Sequence, residues 1–184
     1  MRIFVSYNMC LHTLNSLNLK ECNARIPLDF VDITENNVDL VLQIKKEKKI
    51  VKKFRRQLAM GDCGYYAVSN NKVIGYGWCK NPGSKDLFYK IDNNCNYLGG
   101  FFVSGEYRGN NVYPALITQL VKKAKYPQIF IGAYDYNMSS LNGLVKPGFT
   151  FVRKDTFFRF LKRTLNKKNL VSREKSLRKK KIIL

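Results

Sequence analysis

The chain has 184 residues, 45% of them hydrophobic and 13% aromatic, and carries 33 Lys and Arg against 13 Asp and Glu for a formal charge of +20. That length supports one domain with a substantial core and excludes two comfortable ones. No run approaches the roughly 20 apolar residues that span a bilayer, and residues 1–8 lack the sustained apolar core of a secretion signal, so a soluble, cytoplasmic protein is expected.

The predicted elements begin with a short strand at residues 3–7, an irregular stretch to about Ala24 and a second strand over 25–33. Thr34 can cap a helical region in which Val38, Val41 and Leu42 form one apolar stripe and Ile50, Val51, Phe54 and Leu58 another. This pattern predicts two short helices or one broken helix, coated by cations from Lys45 to Arg56 with only Glu47 among them. Strands at 65–68 and 73–79 read as a hairpin, because Asn70-Asn71 separates alternating aromatic and aliphatic residues. Residues 81–95, with Pro82-Gly83-Ser84, read as an irregular excursion. A strand at 97–103, a helix at 111–125, a strand at 128–134, a helix at 139–145 and a strand at 150–160 complete the order.

Five cysteines (Cys10, Cys22, Cys63, Cys79 and Cys95) are widely spaced, without a Cys-x-x-Cys pair, and His12 is the single histidine. Reduced thiols and no metal site are therefore expected. The most informative stretch runs from Tyr97 to Phe149. An apolar strand enters Glu106-Tyr107-Arg108-Gly109-Asn110-Asn111, a turn that opens a helix marked by Val112, Tyr113, Leu116, Ile117, Leu120 and Val121. Pro114 lies in its first turn, where a missing N–H costs little. Such a helix start gathers main-chain N–H groups at one point and attracts phosphate.

Over roughly residues 60–160 these features resemble the GNAT superfamily of N-acetyltransferases, whose diphosphate loop reads Gln/Arg-x-x-Gly-x-Gly/Ala. Gly109 matches the first glycine, whereas Glu106 and Asn111 depart from the pattern; Asn tolerates positive φ better than other residues with a side chain. The run Val112-Tyr113-Pro114-Ala115-Leu116-Ile117 is similar to a bacterial branch associated with surface-polysaccharide genes. The resemblance implies an α/β fold with a mixed, mostly antiparallel twisted sheet of six or seven strands flanked by helices. It also implies acetyl-CoA as co-substrate. The main chain at Phe101, Phe102 and Val103 would pair with the pantetheine, main-chain groups from Arg108, Gly109, Asn110, Asn111, Val112 and Tyr113 would cradle the diphosphate, and Asn137 and Ser140 would face the thioester end or the pantetheine. Asn137 also suits an ordinary helix cap. In the family a Tyr seven residues after that Asn often serves as the acid; here the position is Leu144. Tyr97 and Tyr136 are left as candidate catalytic residues, with a water relayed by Asp92 or Tyr97 as one route for removing the proton of the amine.

Residues 162–184 hold ten Lys or Arg against Glu174. They read as a basic tail following a single domain over 1–161. Solvated surface, lysine bias and a solubility role are ordinary explanations of such a tail; nonspecific attraction to nucleic acid or to an anionic membrane surface is the functional one. The expected activity is N-acetylation of a small-molecule primary amine, of an amino sugar or a nucleotide sugar that can bring phosphate with it. Acylation of protein, peptide or aminoacyl-tRNA amines is an alternative. So is a non-catalytic binding module for nucleic acid or anionic membrane. A monomer and a homodimer are both compatible with the sequence.

Overall fold

The computed structural model describes residues 5–82, 94–160 and 163–166. Asp92 and most of the basic stretch lie outside the described residues. Among the described residues eight strands form one sheet: β1 (Val5–Asn15), β2 (Asp29–Asp32), β3 (Cys63–Ser69), β4 (Lys72–Lys80), β5 (Cys95–Val103), β6 (Gln128–Tyr134), β7 (Thr150–Phe160) and β8 (Arg163–Asn166). Their spatial order is β2-β3-β4-β5-β6-β1-β7-β8, with β5 and β6 parallel and the other neighbouring pairs antiparallel. This is the mixed, mostly antiparallel sheet the sequence predicts, with a four-residue edge strand, β8, added beyond the last expected one.

Three α-helices among the described residues pack on it: α1 (Lys49–Ala59), α2 (Val112–Lys123) and α3 (Met138–Val145). Alternation along β4 divides the layers. Trp78 points towards α1, where its ring meets Phe54 edge-on at 4.9 Å. Cys79 joins the opposite core, made with Ile117, Leu120 and Val121 of α2 and Leu144 of α3. The helical region after β2 resolves into a 3-10 segment over Val38–Gln43 and α1, the broken arrangement among those predicted.

The first strand is longer than the sequence suggests. It runs to Asn15 because Met9 and Leu11 join one cluster while Leu14 joins the core on the other face. A central strand covered on both sides carries no clean polar-apolar alternation. The hairpin turn is as expected: Asn70 and Asn71 hold φ of 48° and 61°, the pair of positive values that suits a two-residue connection between twisted strands. No helix among the described residues is long and apolar enough to cross a membrane.

Phe54 fixes α1 to the sheet, buried against Tyr66, Tyr76 and Trp78. Phe54→Ala is expected to destabilise the fold by about 3–5 kcal/mol, the usual cost of emptying an aromatic core site. Urea unfolding measures this, and a loss below about 1 kcal/mol would show that α1 is not seated as described.

Candidate functional site

The sheet opens in its middle. Pairing between β5 and β6 stops at Leu98–Ile131, although β5 continues to Val103 and β6 to Tyr134. On its other side β5 keeps company with β4 through a bulge, where Tyr76 and Trp78 face Phe102 and Gly99. The extra residue is accommodated by Gly100 at φ 67°, a left-handed value at which a side chain is strained. From Gly99 onward, β5 therefore turns one row of peptide groups towards a gap instead of a neighbouring strand.

That gap is part of a cleft of about 640 Å³. One wall is β5, from Tyr97 through Phe101, Phe102 and Val103; the other is Gly132, Ala133 and Tyr134 of β6 with Asn137, Ser139 and Ser140 at the start of α3. Arg108 and Tyr113 close one end, and Lys53, Arg56 and Lys80 lie along the α1 side.

The turn before α2 has the geometry of an anion seat. Gly109 takes φ 84° and Asn111 takes φ 57°, which rotates successive amides to one side. Among the described residues, no protein acceptor pairs with the N–H groups of Gly109, Asn110, Asn111, Val112 or Tyr113; the first amide after them, Ala115, returns to the Asn111 carbonyl at 3.1 Å. The Asn111 side chain does not cap the helix, its Oδ1 accepting instead from Lys146 Nζ at 2.6 Å. Asn110 Nδ2 donates to the Tyr107 carbonyl, and the Asn110 carbonyl accepts from Arg25 N–H, so the loop is braced from outside. The Val112 side chain is buried, leaving its main chain as the group available here. Glu106, the departure from the expected motif, is exposed and does not line the cleft.

At α3, Asn137 accepts the Ser140 N–H at 3.1 Å and caps the helix while still lining the cleft. Ser140 also hydrogen-bonds the Tyr113 hydroxyl. Tyr113 reaches across because position 143 is Gly: a Cβ there would come within 2.7 Å of its ring. Phe101 meets the same ring edge-on at 5.0 Å. Burial pushes the Tyr113 phenol well above its ordinary range, with the Tyr97 phenol adding to the effect and the Ser140 bond opposing it. Burial likewise pushes Tyr97 up, against a hydrogen bond from the Gly132 main chain. Leu144 is fully buried in the core. Tyr136 is 71% exposed, stacks on Tyr134 at 5.2 Å and lies outside the cleft lining.

The structure thus gathers Tyr97, Phe101, Phe102, Val103, Arg108, Tyr113, Asn137 and Ser140 around one cavity, with Gly109, Asn110, Asn111 and Val112 forming the turn at its Arg108 end. Sequence reasoning did not find the Tyr113 hydroxyl as a cleft group, nor Lys53, Arg56 and Lys80. The spacing of Lys53 and Arg56, one helical turn apart on a helix whose other face carries Val51 and Phe54, was the available signal for two of them.

The family model described as "Acetyltransferase (GNAT) family" matches residues 35–142. No curated protein matches the sequence. Among solved structures, a GNAT-family acetyltransferase from Colwellia psychrerythraea is similar at TM-score 0.63 and 16% identity, over 86% of this chain and 57% of that one. A predicted acetyltransferase from Clostridium acetobutylicum, solved with acetyl-CoA, gives TM-score 0.51 and 17% identity over 67% of this chain and 90% of that one. The aminoglycoside 6'-N-acetyltransferase from Acinetobacter baumannii gives TM-score 0.53 and 16% identity over 67% and 91%. At these identities the likeness is one of fold.

Proposed function

The chain belongs to the GNAT acetyltransferase family, and from that membership we propose that it moves an acetyl group from acetyl-CoA to a primary amine carried by an amino sugar or a nucleotide sugar. One observation carries the reading: the cleft at the gap where β5 leaves β6 is also lined by Arg108 and Tyr113, the residues on either side of the turn whose amides open α2. A ligand with amide groups along a chain and a diphosphate at its end fits that combination. When bound, acetyl-CoA supplies the activated acyl carbon. The peptide groups of Gly99 to Val103 supply strand-like hydrogen bonds to the pantetheine amides. Amides from Gly109 to Tyr113 and the Arg108 guanidinium hold the diphosphate. The Val112–Ile117 run, similar to a polysaccharide-associated branch, supports a sugar acceptor.

The tyrosines act as hydrogen-bond donors. A phenol pushed far above its ordinary range keeps its proton, so Tyr113, oriented by Ser140, offers that proton as a hydrogen bond to negative charge developing at sulfur. Tyr97 is held by the Gly132 main chain and is equally unsuited to accept a proton at neutral pH. No carboxylate lines the cleft among the described residues. In this reading the acceptor nitrogen gives up its proton to water.

A pH profile follows from this assignment. Acetyl transfer per unit KM should rise with pH along the titration of the acceptor amine and show no decline before pH ~10, where an ordinary tyrosine would begin to ionise. A plateau set by a group near pH 4–7 would instead point to an enzymatic base. The reading itself is tested by thiol release from acetyl-CoA over glucosamine, amino-sugar phosphates, nucleotide-linked amino sugars, polyamines, peptides and aminoacyl-tRNA. Release with amino sugars is expected; release confined to peptides or tRNA would move the acceptor class.

A further inference from the structure

We propose that Cys63 and Cys79 form a redox modification site, a pair of opposed thiols that hydrogen peroxide converts to a disulfide and a thiol reductant restores. The site goes beyond the acetyltransferase reading, since neither sulfur lines the cleft. β3 and β4 run antiparallel with Cys63 directly opposite Cys79. Both side chains therefore leave the sheet on the face that α2 covers, Cys79 inside that core and Cys63 packed against it. Directly opposed residues of an antiparallel pair hold their Cα atoms about 4.5–5.5 Å apart, within the roughly 4.4–6.8 Å that a disulfide spans. The register is clamped next to the pair. Asn81 N–H donates to Asp62 Oδ1 at 3.0 Å, and Asn81 Nδ2 donates to the Gly61 carbonyl, so the chain entering β3 is tied to the chain leaving β4. The remaining cysteines are placed differently: Cys10 stands opposite Ala133 and Lys154, Cys95 stands opposite Gln128, and Cys22 lies beside α2 with its N–H donating to Thr118.

The two thiols are unequal. Cys63 is half-buried and Cys79 is buried. A hydrogen bond from the Cys79 thiol lowers the Cys63 thiol from its ordinary value, against burial and the Asp62 carboxylate, while the same bond and burial push Cys79 up. The Cys63 thiolate attacks first: an S–O bond forms, the O–O bond of the peroxide breaks, and the departing hydroxide takes up the proton that Cys63 lost, giving water. The Cys79 sulfur then attacks the sulfenic sulfur of Cys63. An S–S bond forms, the S–O bond breaks, and the hydroxyl leaves with the Cys79 proton as a second water. Two thiols lose two electrons and two protons, and one peroxide becomes two waters.

The test treats the folded full chain with hydrogen peroxide, caps the remaining thiols with N-ethylmaleimide in urea and digests the product with trypsin. Cleavage after Arg56, Lys72 and Lys80 puts the two sulfurs on separate peptides, residues 57–72 and 73–80. The expected result is a fall from five free thiols to three, with those two peptides joined within one chain, separated again by dithiothreitol, and joined at least tenfold faster in the folded protein than in urea. Cys79→Ser should leave Cys63 as a sulfenic acid that dimedone traps, and Cys63→Ser should leave position 79 unlabelled. A count that stays at five, a bond to another cysteine or between two chains, oxidation of Cys63 that never joins the peptides, or an equal rate in urea would overturn the site. Each of these is read on the wild-type protein and holds whether or not the variants fold.

Discussion

Gly109→Val is expected to abolish acetyl-CoA binding while leaving the protein folded. At φ 84° a β-branched residue is forced into a left-handed conformation that costs roughly 1–3 kcal/mol. No atom lies within 4 Å of a Cβ built at this position, so the substitution removes no packing and its effect runs through the main chain alone. The chain relieves the strain by rotating the turn, and the amides of Gly109 to Tyr113 then no longer face one point. In the wild type, coenzyme at a hundred times its Kd contributes about 2.7 kcal/mol, or roughly 5–10 °C in melting temperature for a chain of this size. The variant should show no rise under the same conditions, and Gly109→Ala an intermediate one. A full rise in the Val variant would remove the turn from the site.

Tyr113→Phe is expected to lower kcat by about ten- to a hundredfold with little change in KM for either substrate. A hydrogen bond to a charged group contributes about 1.5–3 kcal/mol, and one made only as charge develops on sulfur is felt in kcat. The ring keeps its contacts with Phe101 and Gly143 in the variant, so stability should move by less than about 1 kcal/mol. Ser140→Ala should reproduce part of the loss, because it frees the hydroxyl to rotate. An unchanged kcat would assign Tyr113 to packing, as its ring contacts alone would suggest.

The residues that were legible in the sequence are those whose local chemistry dictates their conformation. Asn70-Asn71 announces a tight turn because Asn tolerates positive φ, and the stripe from Val112 to Val121 announces α2 because its buried residues recur at the helical period. The turn around Gly109 was legible for the same reason. What the sequence concealed depends on elements meeting in space. β1 beyond Tyr7 hides its strand character because both of its faces are covered. The opening between β5 and β6 is a matter of main-chain pairing, which the family resemblance implied and which the residues themselves signal only through Gly99-Gly100. Lys53 and Arg56 look like any solvated helical cations until the fold places them, with Lys80 from a strand, on the lining of one cleft. Tyr113 was visible as a helix residue, but its hydroxyl gained a role only once Gly143 and Ser140 of α3 were placed against it.

The departures from the family's loop pattern also have a structural reading. Glu106 stands in a 3-10 turn, exposed to solvent, so its charge is screened by water rather than focused into the cleft. Asn111 adopts the left-handed conformation a second glycine would supply, and its side chain ties the turn to Lys146 just after α3. Both substitutions leave the amides in place.

The account stands on one binding event, and calorimetric titration of the full chain with acetyl-CoA measures it directly. A single site per chain with a Kd in the micromolar range, competed by CoA and lost in Gly109→Val, is the predicted result. No heat and no competition at millimolar coenzyme would contradict it.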